Sequence, residues 1–438
     1  MRRDLERLVD IQSVSADPAR LDQVRRSAEL TAELFGDEGF EVELLTATGG
    51  LPAVIARKPA PPGAPTVLLY AHHDVQPEGD HASWDSEPFV PTERGERLFA
   101  RGVTDDKAGI AAHLAAVRAH GDALPVGVTV FVEGEEEIGS PTLHELLDEH
   151  RELLRSDVMV IADSANFAIG VPALTTSLRG LADCVVEVRT LDHAVHSGLW
   201  GGVVPDALTA LCRLLATLHD DEGNVAVAGL TSAPAADLDY PEDRLREEAG
   251  IHAGVPLFGS GTVVDRLWTK PAISVIAIDA PTVAEASNTL VPLARAKVSL
   301  RIAPGDDAGS ALECLREHLV THTPWGADVT VIDGETGQPF AVSADGPAYD
   351  AARRALTGAW GGTSPVDIGV GGSIPFIAEL ADMFPDAAVL VTGIGDPDTR
   401  AHGANEGLHL AEFERVCLAE ALLLAELAVE GVAQPGHR

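Results

Sequence analysis

Apolar and polar positions along the chain follow two different periods. Leu21–Phe40, Ala108–His120 and Leu143–Leu154 repeat their apolar residues at helical spacing. Between them lie short unbroken apolar runs, Val54–Ala56, Val67–Tyr70, Val128–Val132 and Val158–Ile161, which read as strands. A Pro/Gly turn, Pro59–Pro65, separates the first two. Apolar runs without polar alternation suit strands covered on both faces. Strands separated by helices imply βαβ units and a largely parallel sheet.

The pattern changes near Leu178. Cys184–Val188, Ile273–Ile278, Ala294–Ile302 and Val329–Ile332 read as strands, and Pro205–His219 and Ala308–His322 as helices. Two helices and four strands make a small α+β sandwich. Asp220–Thr269, rich in Gly, Pro and acids, reads as irregular surface. The helix–strand alternation returns with Tyr349–Leu356, Ile374–Ala381, Val389–Val391 and a long helix at Ala411–Glu430. The expected fold is therefore α/β: a discontinuous domain, residues 1–177 and 339–438, with a mostly parallel central sheet flanked by helices. An α+β two-layer sandwich, residues 178–338, is inserted into it.

Composition narrows the function classes. A chain of 438 residues exceeds one ordinary core, which agrees with two domains. A formal charge of −37 argues against nucleic acid and against anionic membranes as partners. Cys184, Cys212, Cys314 and Cys417 stand far apart, so no cysteine metal site or redox motif is on offer. Free thiols suit a reducing compartment. The start, Met1–Glu6, is charged and lacks the apolar stretch of a signal peptide, and no apolar run is long enough to span a bilayer. A cytoplasmic location is expected.

Five acidic and histidine motifs carry the candidate chemistry. His72-His73-Asp74 follows Val67–Tyr70, and Glu135-Glu136-Glu137 follows Val128–Val132. Asp163 follows Val158–Ile161, His402 follows Val389–Val391, and Asp105-Asp106-Lys107 precedes a helix. Each alone has a plain structural reading. The aspartates would cap a helix, the glutamates would make a solvated loop, and His402 would be an exposed histidine. In open α/β sheets, however, ligands collect at the carboxyl ends of strands. Four of the motifs sit there together, and imidazole with carboxylate is a donor set for divalent metal.

Longer stretches carry a family resemblance. His72–Pro77, Trp84–Phe89, Arg101–Gly109, Glu133–Ser140, His196-Ser197-Gly198, Gly371–Pro375 and Ala401–Glu406 resemble, in order, motifs of the aminoacylase and carnosine-dipeptidase family of metallopeptidases. The resemblance implies two divalent ions per subunit, zinc or else manganese or cobalt. It implies His72 and Asp163 on one ion, Glu137 and His402 on the other, and Asp105 bridging both. Glu136 would be the general base, Asp74 would orient His72, and Asp105–Asp106 would share a cis peptide. Because three glutamates run together, Gly139-Ser140 sets the register. His196 would stabilise the oxyanion from the partner subunit of a homodimer joined through the inserted lid domain, with His193 as a competing candidate. Asn288, Thr289, Arg301, Gly372 and Ser373 would contact substrate, with Arg301 receiving a carboxylate. Aspartate at 163, Val75-Gln76-Pro77 and Trp84–Phe89 resemble the dipeptidase branch, which implies a small peptide substrate. The alternative is an amidohydrolase acting on N-acyl amino acids or succinyl-diaminopimelate. A reading of another class is an inactive homologue kept for binding.

Overall fold

The structure is a computed structural model, and it describes residues 1–234, 237–372 and 375–430. The described chain forms two compact units. The first comprises Met1–Thr176, Val342–Ile368 and the segment from Glu379 onward; the second comprises Ser177–Ala341 and Gly369–Ala378. Among the described residues no helix is long and apolar enough to cross a membrane.

In the first unit the chain order is α1 (Arg2–Val9), α2 (Leu21–Asp37), β1 (Glu41–Leu45), β2 (Ala53–Lys58), β3 (Thr66–His72), α3 (Lys107–His120), β4 (Gly127–Glu133) and β5 (Val158–Ala165). After the second unit come α4 (Pro347–Ala359), β6 (Ala388–Gly395) and α5 (Leu410–Glu430). The sheet runs β1-β2-β4-β3-β5-β6, and the strand that begins at Ala173 continues it antiparallel beside β6. Its centre, β4-β3-β5-β6, is parallel, as the βαβ pattern implies. The β1 edge differs: β1 and β2 form an antiparallel hairpin, and β2 lies antiparallel to β4. The linker Thr46–Pro52 is too short for a crossover, so the chain can only turn back.

Burial explains the unbroken apolar runs. Val67–Ala71 and Val128–Val132 are buried at every position, between helices on both faces. Helix α3 is buried from Lys107 to Val117, packed against β3 and α5, and accordingly shows little amphipathic contrast. Fully burying one Val or Leu side chain is worth about 1.5–3 kcal/mol. A one-residue slip of a central strand would exchange its faces and, with both of them buried, would set side chains of the wrong shape against each helix layer. The register is thus fixed: Tyr70 pairs with both Phe131 and Ile161, and Val391 with Ile161. It brings the carboxyl ends of β3, β4, β5 and β6 to one edge.

The second unit is a four-stranded antiparallel sheet, Ala272–Asp279, Leu293–Ile302, Gly180–Arg189 and Asp328–Gly337 in spatial order. Helices Ala207–Ala216 and Ala308–Thr321 cover one face, with Ala182, Val186, Leu211, Val298 and Leu315 in the core between them. Asp206 and Asp307 cap these helices by accepting from the backbone N–H of Thr209 and Ser310.

Two expectations need correction. Asp220–Thr269 is not wholly irregular: Glu242–Glu248 is helical, with Arg246–Glu242 and Arg244–Glu248 pairs one turn apart supporting it. Gly369–Ala378, expected in the discontinuous domain, groups with the second unit, where Gly371 packs against Arg179 and Gly369 against Trp268.

Candidate metal centre

The strand register builds the site. His72 is the last residue of β3, and Asp163 stands near the end of β5. Since Tyr70 pairs with Ile161, these two side chains stand level on adjacent strands. The Glu136–Ile138 turn follows β4. Asp105 joins them from the loop before α3, across a cis Asp105–Asp106 peptide. His402 arrives on the loop after β6.

Donor atoms of His72, Asp105 and Asp163 lie within 4.8 Å of one another, and so do those of Asp105, Glu137 and His402. Asp105 belongs to both groups. Its Oδ1 faces His72 Nε2 at 3.1 Å, and its Oδ2 faces His402 Nε2 at 3.0 Å. Glu137 Oε2 lies 3.3 Å from the same His402 nitrogen. Glu136 belongs to neither group.

The electrostatics call for cations. Burial raises the pKa of Glu136, Glu137 and Asp163, and neighbouring carboxylates raise each further. Burial also works against Asp105, but the His402 and His72 rings outweigh it and hold its pKa down. Among the described residues no Arg or Lys forms an ion pair with Asp105, Glu136, Glu137 or Asp163. Half-buried acids without a basic partner among the described residues, facing two imidazoles, fit divalent cations.

Supporting residues fix these ligands. The Nδ1 of His72 meets the backbone oxygen of Asp74 at 3.0 Å and its carboxylate at 3.5 Å, so Nε2 is turned toward Asp105. Asp74 Oδ2 also accepts from the Glu137 N–H at 3.1 Å. Its carboxylate thus touches the segments of two ligands.

Residues 68–426 match peptidase family M20/M25/M40. The chain belongs to that family. Among its relatives is the cysteinylglycine-S-conjugate dipeptidase of Corynebacterium striatum, 33% identical over 96% of this chain and 94% of that protein. The Beta-Ala-His dipeptidase of Homo sapiens is 28% identical over 82% of this chain and 74% of its own. The crystal structure of human carnosine dipeptidase 1 superposes with a TM-score of 0.82 at 25% identity, covering 98% of this chain and 96% of that one.

For this family member, two supporting side chains escaped the reading of the sequence. Gln76 donates from Nε2 to Glu137 Oε2 at 2.8 Å and from its backbone N–H to Oε1 at 3.1 Å. Glu135 accepts from the Leu51 N–H at 2.7 Å and from the Thr142 hydroxyl at 2.6 Å, which anchors the glutamate turn on both sides. Both lie inside conspicuous motifs, but nothing in a linear pattern says which neighbour they touch.

The second unit gathers three more candidates. His196 pairs with Thr289 in a two-residue ladder, and the Ser197 N–H donates to the Asn288 carbonyl at 2.9 Å. The Gly198 N–H donates to His196 Nδ1 at 3.0 Å. A neutral ring so held carries its proton on Nε2, which leaves that atom a donor on an exposed side chain. His193 is exposed and lines a separate polar groove of about 490 Å³ with Arg189, Trp325 and Asp328. Arg301 lies beside Arg179, which is 8% exposed and donates only to carbonyls, those of Gly371, Arg266 and Lys270. Burial and the Arg301 charge lower the Arg179 pKa to about 10. Among the described residues neither arginine meets a carboxylate. Gly372 adjoins this pair in sequence through Gly371; Ser373 lies outside the described residues.

Proposed function

We propose that this chain is a metal-dependent dipeptidase that hydrolyses the peptide bond of short peptides with a free carboxylate. The observation that supports it most is the position of Asp105, with one carboxylate oxygen toward His72 and the other toward His402. That is the arrangement of a ligand shared by two ions. His72 and Asp163 would hold one ion, and Glu137 and His402 the other. Divalent ions held there, zinc by the donor set, would supply Lewis acidity for the scissile carbonyl and for the attacking water.

The remaining roles fall to side chains. Glu136, beside both ligand groups and raised in pKa by burial, accepts the proton of the attacking water and passes it to the leaving amine. The Nε2–H of His196 donates to the oxygen that gains charge. Arg301, seconded by Arg179, receives the substrate carboxylate; two guanidinium groups without an acidic partner suit a free anion. A homodimer through the second unit is part of the proposal. Its edge strand, Ala272–Asp279, exposes Val275, Ile276 and Ile278 and leaves one row of backbone groups free to pair. Free cysteines suit a cytoplasmic location.

Glu136→Gln tests the reading. The variant is expected to keep both ions by elemental analysis and to lose turnover of dipeptides. Equal turnover in Glu136→Gln rejects the assigned base. Faster hydrolysis of N-acetyl amino acids than of dipeptides by the parent protein moves the reading to the amidohydrolase alternative.

A further inference from the structure

A buried ion pair lies beneath the metal centre and belongs to none of the roles above. Arg101 is 1% exposed and Glu406 fully buried, with Nη1 and Oε2 at 2.7 Å. Glu406 accepts three more hydrogen bonds, all from the backbone of the loop that carries Asp105. The Gly102 N–H donates at 2.9 Å, the Thr104 N–H at 2.9 Å and the Asp105 N–H at 3.1 Å. Arg101 reaches the opposite way. Its Nη2 donates to the carbonyls of His402 and Gly403 at 3.1 Å each, and to that of Pro77 at 3.3 Å. Trp84 closes the guanidinium from the side, 5.5 Å away.

Each partner therefore grips the segment that bears the other's neighbouring ligand. The carboxylate from the His402 loop holds the Asp105 backbone, and the cation from the Asp105 loop holds the His402 backbone. A buried charge pair held from both loops in this way, with only the Arg101 Nε left without a partner among the described residues, is confined to a narrow geometry.

The two ligand groups need this support unequally. His72 and Asp163 sit on adjacent central strands whose ladder already fixes them. His402 sits on no strand. Its side chain is 60% exposed, and its backbone, like that of Arg400 and Asn405, occupies the left-handed region at φ 62°. A non-glycine residue stays there only where its surroundings hold it.

We infer that Arg101 and Glu406 are positioning residues for the second metal group, Asp105, Glu137 and His402, and that, although Asp105 is shared, they govern the affinity of that ion more strongly than that of the ion between His72 and Asp163, which the strand ladder supports. The inference rests on the two-ion reading of the site.

The test titrates metal-free protein with chelator-buffered Zn2+ and counts bound ions by elemental analysis. The parent protein is expected to take two ions. Glu406→Gln and Arg101→Lys are expected to take the first ion with a severalfold change at most and to need at least about tenfold more zinc for the second, the usual penalty for losing a group that supports a ligand. Removing one buried charge strands the other, so the double variant Arg101→Met with Glu406→Gln is measured as well; it removes both charges together. A melting temperature of the metal-free form close to the parent's, combined with selective loss of the second ion, separates positioning from general loosening of the fold. Two ions bound by all folded variants with the parent's affinities overturn the inference, as does equal weakening of both. A parent protein that binds fewer than two ions overturns the two-ion reading itself.

Discussion

Gln76→Met removes the side-chain contacts of Gln76 to one ligand residue. Methionine keeps the length and volume of glutamine but cannot donate a hydrogen bond to the Glu137 carboxylate. The lost contact is the 2.8 Å bond from Nε2 to Oε2, together with a 3.2 Å bond to the Glu137 carbonyl. A hydrogen bond to a charged group contributes about 1.5–3 kcal/mol. The backbone N–H of Gln76 still donates to Oε1, and the Asp74 carboxylate still accepts from the Glu137 N–H. The ligand is loosened, not released, so the lower end applies. About 1.4 kcal/mol is a factor of ten in an equilibrium constant. Zinc affinity at the Glu137–His402 group is therefore expected to fall about tenfold, while the His72–Asp163 group keeps its affinity. Competition against a calibrated chelator reads the affinities, and dipeptide turnover at rising free zinc reads the function. Turnover is expected to return to near the parent value once zinc saturates. Unchanged affinity in a folded variant refutes the assigned contact. A turnover defect that survives saturating zinc refutes the idea that Gln76 acts through metal binding.

Two further outcomes test other parts of the molecule. His196→Ala is expected to keep both ions and lose roughly 10²-fold or more in kcat, the magnitude of one missing oxyanion donor; steady-state kinetics with elemental analysis decides, and an unchanged kcat rejects the role. His113 sits under the sheet with Nδ1 2.7 Å from Glu420 and Nε2 2.9 Å from the Tyr70 carbonyl, so its charged form satisfies both contacts. Burial opposes that charge, but Glu420 outweighs it and raises the pKa above the ordinary value. A raised folded-state pKa means stabilisation that is complete below pH about 6.5, the unfolded value, and is lost as pH climbs through the folded value. The stability advantage of the parent over His113→Gln, from urea unfolding of the metal-free proteins, is expected to shrink between pH 6 and 9; an advantage that is flat or grows with pH contradicts the charged pair.

The sequence by itself determined the parts of this protein that local rules govern. Continuous apolar runs suit covered strands, and their spacing by helices implies a parallel centre. A parallel centre sends every carboxyl end to one edge, so the motifs His72–Asp74 and Glu135–Glu137, with Asp163 and His402, could be read as neighbours from their places after strands, while the family resemblance picked His72 and Glu137 within them. The capped helices Ala207–Ala216 and Ala308–Thr321 were legible for the same reason. The antiparallel β1–β2 edge was not, because Glu41–Leu45 is largely exposed and leaves no apolar run. The helix Glu242–Glu248 was hidden because charge pairs one turn apart support it, with no buried stripe. Only the tertiary structure decided what stands behind the ligands. Gln76 reaches Glu137 across 61 positions of chain, and Arg101 reaches Glu406 across 305. Such contacts depend on loop paths, which no periodicity encodes. Donor types are a property of the sequence; the distances that make them a site are set by how the sheet and its loops close.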